Sequence, residues 1–246
     1  MSMKPTGGKN YGSIAHLPGS RMGPGDHHCH EGQERICLTQ KRDKHDTIIV
    51  LEKLDGSNVG VIKHQGKILA LTRAGYLAHT SPYAQHHRFG EWVARNESRF
   101  DAVLSEGERI VGEWLYQAHG TRYVLPHEPF VAFDIMTGMK RLPWSDLVPR
   151  LYGLFTLPHC VQIGDPMSIE DVMRALGERG QHGAIDPIEG AVWRVERDEL
   201  IDPRKGGERR RVVDFLAKYV RPDKADGCYL ESVTGGAPVL NQWSES

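Results

Sequence analysis

One lysine in this chain stands where a reactive amine could act. The stretch Glu52-Lys53-Leu54-Asp55-Gly56-Ser57-Asn58 sets it between two acids and ahead of a glycine, at the end of the β-branched run Thr47–Leu51. A surface turn has the same composition, so the segment alone leaves both readings open. A lysine amine attacks an electrophile only when unprotonated, which requires desolvation or nearby positive charge to lower its pKa. Glu52 and Asp55 push the other way unless a bound cation offsets them. Lysine in such company points to a metal-bound, anionic substrate. A second chemistry-bearing cluster, His27, His28 and His30 around Cys29, raises a metal hypothesis. Adjacent residues do not easily turn toward one ion, so that run is read as a polar loop.

Five more short patterns follow the lysine in order: Thr72-Arg73-Ala74-Gly75, Val111-Gly112-Glu113-Trp114, Phe130-Val131-Ala132-Phe133-Asp134-Ile135, Glu189-Gly190-Ala191-Val192 and Ala217-Lys218-Tyr219-Val220. Each is weak alone, and Phe133 on its own would be read as core. With Lys53-x-Asp55-Gly56 they make an ordered series over residues 52–218 that resembles the covalent nucleotidyltransferases, namely ATP-dependent ligases and mRNA-capping guanylyltransferases. Glu52 before the lysine, Asn58 after it and the Phe-x-x-Phe-Asp strand resemble the RNA ligase 2-like branch. One departure stands out: the family's closing motif has two lysines spaced Lys-x-Lys, and here Leu216 takes the first place and only Lys218 remains. Arg211 or Arg221 are the candidates to supply the missing charge.

The resemblance implies a set of roles. Lys53 would attack the α-phosphate of ATP, displace pyrophosphate and carry AMP as a phosphoramidate. Lys218 and Arg194 would hold phosphate as fixed positive charges. Glu189 would bind a catalytic Mg²⁺ (or Mn²⁺), a hard cation that takes oxygen ligands. Phe133 would stack on adenine. Arg73 and Glu113 would hold the ribose hydroxyls, with Glu52 also in the nucleotide site. Asn58 and Arg73 would position the 5′-phosphate of the strand to be sealed. AMP would then pass to that phosphate, and a 3′-OH would displace it. The implied partner is RNA, with nicked duplex, single strand, tRNA break and RNA–DNA hybrid left open; no protein partner is indicated. Two rival readings are a self-adenylylating, end-activating enzyme or repair-complex subunit that needs a partner to seal, and a non-catalytic nucleic-acid-binding relative.

The elements that must position these residues follow from pattern. Thr47–Leu51, Val59–Ile62 and Ile68–Thr72 form a β meander interrupted at the lysine. Pro82–Leu104 has helical spacing with a break near Asn96. Arg109–Leu115 and Phe130–Met136 are strands, and Trp144–Leu154 is a helix with Pro149 as a flaw. Ser168-Ile169-Glu170-Asp171 opens a capped helix that runs to about Gly177. Glu189–Glu196 and Val212–Val220 are strands, joined by a charged loop over Arg204–Arg211. That loop, with Lys205, Arg209 and Arg210, is the densest basic stretch and a hypothetical contact for a phosphate backbone. The acids Glu196, Asp198, Glu199 and Glu208 balance it and could equally make it a solvated loop.

Regular β-α-β alternation is missing, which predicts an α+β fold. The resemblance makes it a covalent nucleotidyltransferase (ATP-grasp-like) domain, with antiparallel sheets flanked by helices. Only 28 residues follow Lys218, too few for a five-stranded barrel, so no C-terminal OB-fold is expected. The expected organisation is one adenylyltransferase domain over 1–246: a Gly/Pro/His-rich extension (1–45), a core (46–221) and a short tail (222–246). Within the extension, Ile14–Arg21 and Gly25–Gln33 are candidates to line a substrate groove. A net charge of −1 excludes a nucleic-acid binder that is basic throughout. Four scattered cysteines exclude a CxxC site. No apolar leader or membrane-length run is present, so the expected setting is cytoplasmic, with no membrane contact.

Overall fold

The structure is a computed structural model, which describes residues 4–201, 207–225 and 227–243. In chain order its elements are β1 (Ala15–His16), α1 (Glu31–Leu38), β2 (Asp46–Lys53), β3 (Ser57–His64), β4 (Lys67–Thr72), α2 (Ala84–Arg95), α3 (Glu97–Val103), β5 (Glu108–Trp114) and β6 (Val124–Leu125). There follow β7 (Phe130–Thr137), β8 (Lys140–Arg141), α4 (Trp144–Leu151), β9 (Cys160–Gly164), α5 (Ile169–Leu176), β10 (Gly190–Leu200), β11 (Arg209–Val220), α6 (Glu231–Thr234) and β12 (Gln242–Trp243). Strands that are mostly antiparallel, mixed with short helices, make this an α+β fold.

The chain divides into two compact units. The first, here the lysine unit, comprises residues 13–54 and 158–226. Its sheet has the order β1-β11-β10-β2-β9. Strand β2 lies inside the sheet between β10 and β9 and is buried through Ile48, Ile49, Val50 and Leu51, which is why a run of β-branched residues leads up to Lys53. The hairpin of β10 and β11 is longer than its apolar pattern suggests. It continues to Leu200 and resumes at Arg209, so Arg209, Arg210 and Arg211 are strand rather than loop. The reason is electrostatic: Asp198 and Arg211 face each other across the ladder, and Arg211 Nε donates to Asp198 Oδ1 at 2.7 Å. Arg204 and Lys205 lie outside the described residues. Helix α5 begins as its sequence predicts, with Ser168 Oγ accepting from the Asp171 N–H at 3.1 Å and Gly177 at φ +67° ending it.

The second, the aromatic unit, comprises residues 1–12, 55–157 and 227–246. Its main sheet has the order β4-β3-β5-β7-β8, and β6 pairs with β12 in a two-stranded ribbon. The predicted helical stretch is indeed two helices, broken at Asn96, whose side chain donates back to the Trp92 carbonyl at 2.8 Å. Phe89, Trp92 and Phe100 from these helices pack on Trp114 and Phe130 of the sheet, with ring centroids 5.3 to 6.1 Å apart. Aromatic packing of this density makes the sheet a rigid floor for the residues on its other side. Helix α4 tolerates Pro149 but is shorter than predicted, ending at Leu151.

Candidate active site

In the lysine unit, Lys53 is the last residue of β2 and pairs with Gly190, the first residue of β10. That pairing brings Glu189 to the mouth of the strand beside it. Lys53 Nζ donates to Glu189 Oε2 at 2.5 Å, with both side chains about one-fifth exposed or less. Gly190 makes the approach possible, because a Cβ there would fall 1.9 Å from the Tyr219 carbonyl oxygen of β11. The Glu189 carbonyl accepts from the Arg221 N–H at 2.9 Å, which fixes the backbone just ahead of the carboxylate.

Register decides which residues share this face. Leu51, Val192 and Lys218 form one row across β2, β10 and β11, two residues from the Lys53–Gly190–Val220 row. Side chains two residues apart point the same way, so Lys53 and Lys218 are on one face. The next row is Ile49, Arg194 and Leu216, which places Arg194 directly across from the position where the first lysine of the closing motif is missing. Arg194 is buried, 1% exposed, with Nε donating to Glu196 Oε1 at 2.7 Å. Lys218 Nζ is 3.7 Å from Asp26 Oδ1. The two arginines proposed as substitutes are engaged elsewhere: Arg211 with Asp198 and Thr47, Arg221 with Asp223.

Glu52 faces the opposite side of the sheet. It is 2% exposed, and its Oε2 accepts from the Gln181 N–H at 3.0 Å while Oε1 has no hydrogen-bond partner among the described residues. Burial pushes this carboxyl up to about 7. Gly180 is shaped around it, since a Cβ at that position would land 2.0 Å from Oε1.

In the aromatic unit, the residues just after the lysine are held one by one. The Asp55 N–H donates to Tyr123 Oη at 3.2 Å, and Asp55 Oδ2 accepts from the Gly120 N–H at 2.9 Å. The Gly56 N–H donates to Glu113 Oε1 at 3.2 Å. Glu113 in turn lies opposite Asn58 in the β3–β5 ladder, so the two share a face. Asn58 Oδ1 is buried without a hydrogen-bond partner among the described residues. Phe133 sits at a register shift between β5 and β7, where Val111 pairs with Asp134 and Gly112 with Ala132. A bulge re-aims the residue it carries, and Phe133 is half-buried while Ala132 and Asp134 beside it are buried. Its ring meets Tyr11 edge-on at 5.3 Å. Tyr11 Oη donates to Asp134 Oδ2 at 2.9 Å, and burial with that neighbouring carboxylate raises the phenol's pKa. Arg73 is exposed, and its carbonyl accepts from the Asn10 N–H at 3.0 Å.

The structure therefore gathers Lys53, Glu189, Lys218 and Arg194 in one unit and Asn58, Glu113 and Phe133 on the sheet of the other. Sequence reasoning did not find Tyr11 or Tyr123, which support Phe133 and Asp55 through long-range contacts that no local pattern announces. Among the described residues no three His, Cys, Asp or Glu side chains converge to hold a metal by themselves. The arrangement at Glu189 fits a hard ion of the Mg²⁺ type, which is bound through one or two carboxylates together with substrate phosphates and water.

Residues 46–220 match the RNA ligase family. The chain belongs to that family. Among solved structures this RNA ligase family member is similar to a Naegleria gruberi RNA ligase mutant in its apo form (TM-score 0.50, 16% identity, 93% of this chain and 60% of that one). Other similar structures are an archaeal ATP-dependent RNA ligase, form 2 (0.44, 18%, 85% and 48%), and a Naegleria gruberi RNA ligase mutant with ATP and Mn (0.47, 16%, 82% and 58%). The chain thus spans roughly half to three-fifths of the length of these structures. No curated protein matches the sequence. Among the described residues no helix is long and apolar enough to cross a membrane.

Proposed function

We propose that this chain carries out the nucleotidyl-transfer chemistry of an ATP-dependent RNA ligase of the RNA ligase 2-like branch. The observation that carries the reading is the Lys53–Glu189 contact at 2.5 Å, on a sheet face that also bears Lys218. Lys53 Nζ attacks the α-phosphorus of ATP, a nitrogen–phosphorus bond forms, the bond to the bridging oxygen breaks, and pyrophosphate leaves with the electron pair. Glu189 stabilises the protonated amine while the site is empty. Lys53 becomes a nucleophile once that carboxylate is engaged otherwise and the amine has lost a proton to water. A divalent cation held by Glu189 supplies positive charge against the phosphate oxygens. Lys218 adds a second fixed charge, and Arg194 stiffens the row behind it through its pairing with Glu196. Phe133 offers a half-exposed ring to the base, and Glu113 offers acceptors to the ribose hydroxyls. Asn58 and Arg73 take the 5′-phosphate of an RNA end; an oxygen of that phosphate attacks the lysyl-AMP phosphorus and the nitrogen–phosphorus bond breaks to release Lys53, after which a 3′-OH loses its proton, attacks the RNA 5′-phosphorus and displaces AMP.

The test is direct. Incubation with labelled ATP and Mg²⁺ or Mn²⁺ yields a covalent protein–AMP adduct that is absent from Lys53→Ala. Sealing assays on nicked duplex, single-strand, broken-tRNA and RNA–DNA hybrid substrates with 5′-phosphate ends then identify the substrate. A chain that folds but takes up no label under either metal overturns the proposal, and labelling by GTP in place of ATP redirects it to capping chemistry.

A further inference from the structure

The Gly/Pro/His-rich segment has a defined place in the lysine unit. Strand β1 pairs in parallel with the end of β11, with His16 directly beside Lys218. Backbone bonds secure the strap: the Leu17 N–H donates to the Lys218 carbonyl at 2.8 Å and the Arg21 N–H to the Val220 carbonyl at 2.9 Å. The strap then doubles back, with the His16 N–H donating to the His27 carbonyl at 2.8 Å. At the turn between these passes stands Asp26. Its Oδ2 accepts from the Gly23 N–H at 2.9 Å and lies 3.0 Å from His16 Nε2, while its Oδ1 is 3.7 Å from Lys218 Nζ. His16 is itself locked, 1% exposed, with Nδ1 2.6 Å from Ser20 Oγ, which also accepts from the Val220 N–H at 2.9 Å.

Asp26 gives Lys218 one such anchor. An ammonium on a four-carbon stem samples many rotamers, and the companion lysine is Leu216 here. A carboxylate held by groups other than the lysine fixes where the ammonium rests. At 3.7 Å the contact is loose enough for a phosphate to displace it. We propose that Asp26, braced by His16 and Gly23, is a positioning residue for Lys218, orienting its ammonium for phosphate on the face that carries Lys53. The inference rests on the proposed role of Lys218 in holding phosphate.

Two measurements test it. In single-turnover labelling with ATP and Mg²⁺, Asp26→Ala slows lysyl-AMP formation at saturating ATP about 10–100-fold, the scale of a small misplacement of a reacting group. The ATP concentration for half-saturation moves by less than about 3-fold, and Asp26→Glu restores part of the rate. Separately, the His16 ring is titrated by NMR. The charged groups acting on it are Asp26, which favours its protonated form, and Lys218 and His28, which oppose it. Asp26→Asn therefore lowers the His16 midpoint and Lys218→Ala raises it. Unchanged labelling in a folded Asp26→Ala variant overturns the inference, as does a His16 midpoint indifferent to Lys218→Ala. If the wild type takes up no label, the proposed function fails, and the titration still decides whether Asp26, His16 and Lys218 act as one group.

Discussion

The two units solve opposite problems. In the lysine unit, three cations of one sheet face each stand beside an acid: Lys53 by Glu189, Lys218 by Asp26, Arg194 by Glu196. In the aromatic unit, groups proposed for the nucleoside and the RNA end keep capacity open: among the described residues Asn58 Oδ1 has no hydrogen-bond partner, and Phe133 is half-exposed on a bulge. Positive charges on one sheet face would repel one another if left bare, so acids hold them until a stronger anion arrives. An aromatic ring or an amide carries no such penalty from its neighbours and can wait uncovered.

Lys53→Arg keeps the ion pair with Glu189 but stays protonated, and it lowers adduct formation by at least about 10³-fold in the labelling assay with little change in melting temperature. Its retention of activity would end the distinction between charge held in waiting and charge used in chemistry. Gly190→Ala places a Cβ 1.9 Å from the Tyr219 carbonyl oxygen. It costs about 2–4 kcal/mol in urea unfolding and displaces Glu189, so label uptake falls as well.

Glu52 tests the contrast from within the lysine unit, as a buried carboxylate with an oxygen left unpartnered. Burial pushes its folded-state pKa up to about 7, from an ordinary 4.5. The folded protein then holds the proton more tightly than the unfolded chain, so stability is greatest below about pH 4.5 for this group and declines as pH rises through about 7. Glu52→Gln removes that decline, stabilising at pH 8 relative to pH 5 by on the order of 2–3 kcal/mol in denaturation curves. A flat difference between the two pH values would mean that the carboxyl is better solvated than its burial indicates. Phe133→Ala, on the aromatic side, raises the ATP concentration for half-maximal labelling about 10-fold, while stability changes by less than about 1.5 kcal/mol. A larger stability loss would place Phe133 in the core rather than in the site.

Much of the lysine unit was legible because its central strands are runs of buried β-branched residues ending at chemical groups. Thr47–Leu51 pointed straight at Lys53, and the capping residue Ser168 announced α5. The long β10–β11 hairpin was only half legible, because its outer rows are stabilised by Asp198 and Arg211 rather than by alternating apolar residues. Helix α1 was missed since only Ile36 and Cys37 of its eight residues are buried, leaving almost no periodic signal. The strap was missed for a related reason. Its two-residue strand is held by main-chain bonds and by His16 and Asp26, contacts that leave no trace in composition.

That two-residue strand also bears on how the molecule behaves in company. Among the described residues β11 has only β10 and β1 as strand neighbours, and β1 covers just its last rows. The uncovered stretch is the one with Arg209, Arg210, Arg211 and Asp214, charges that discourage another chain from docking there. Cutting away the first 30 residues would expose Ala217 to Val220, an uncharged stretch but for Lys218, and invite self-association at the open end of the sheet.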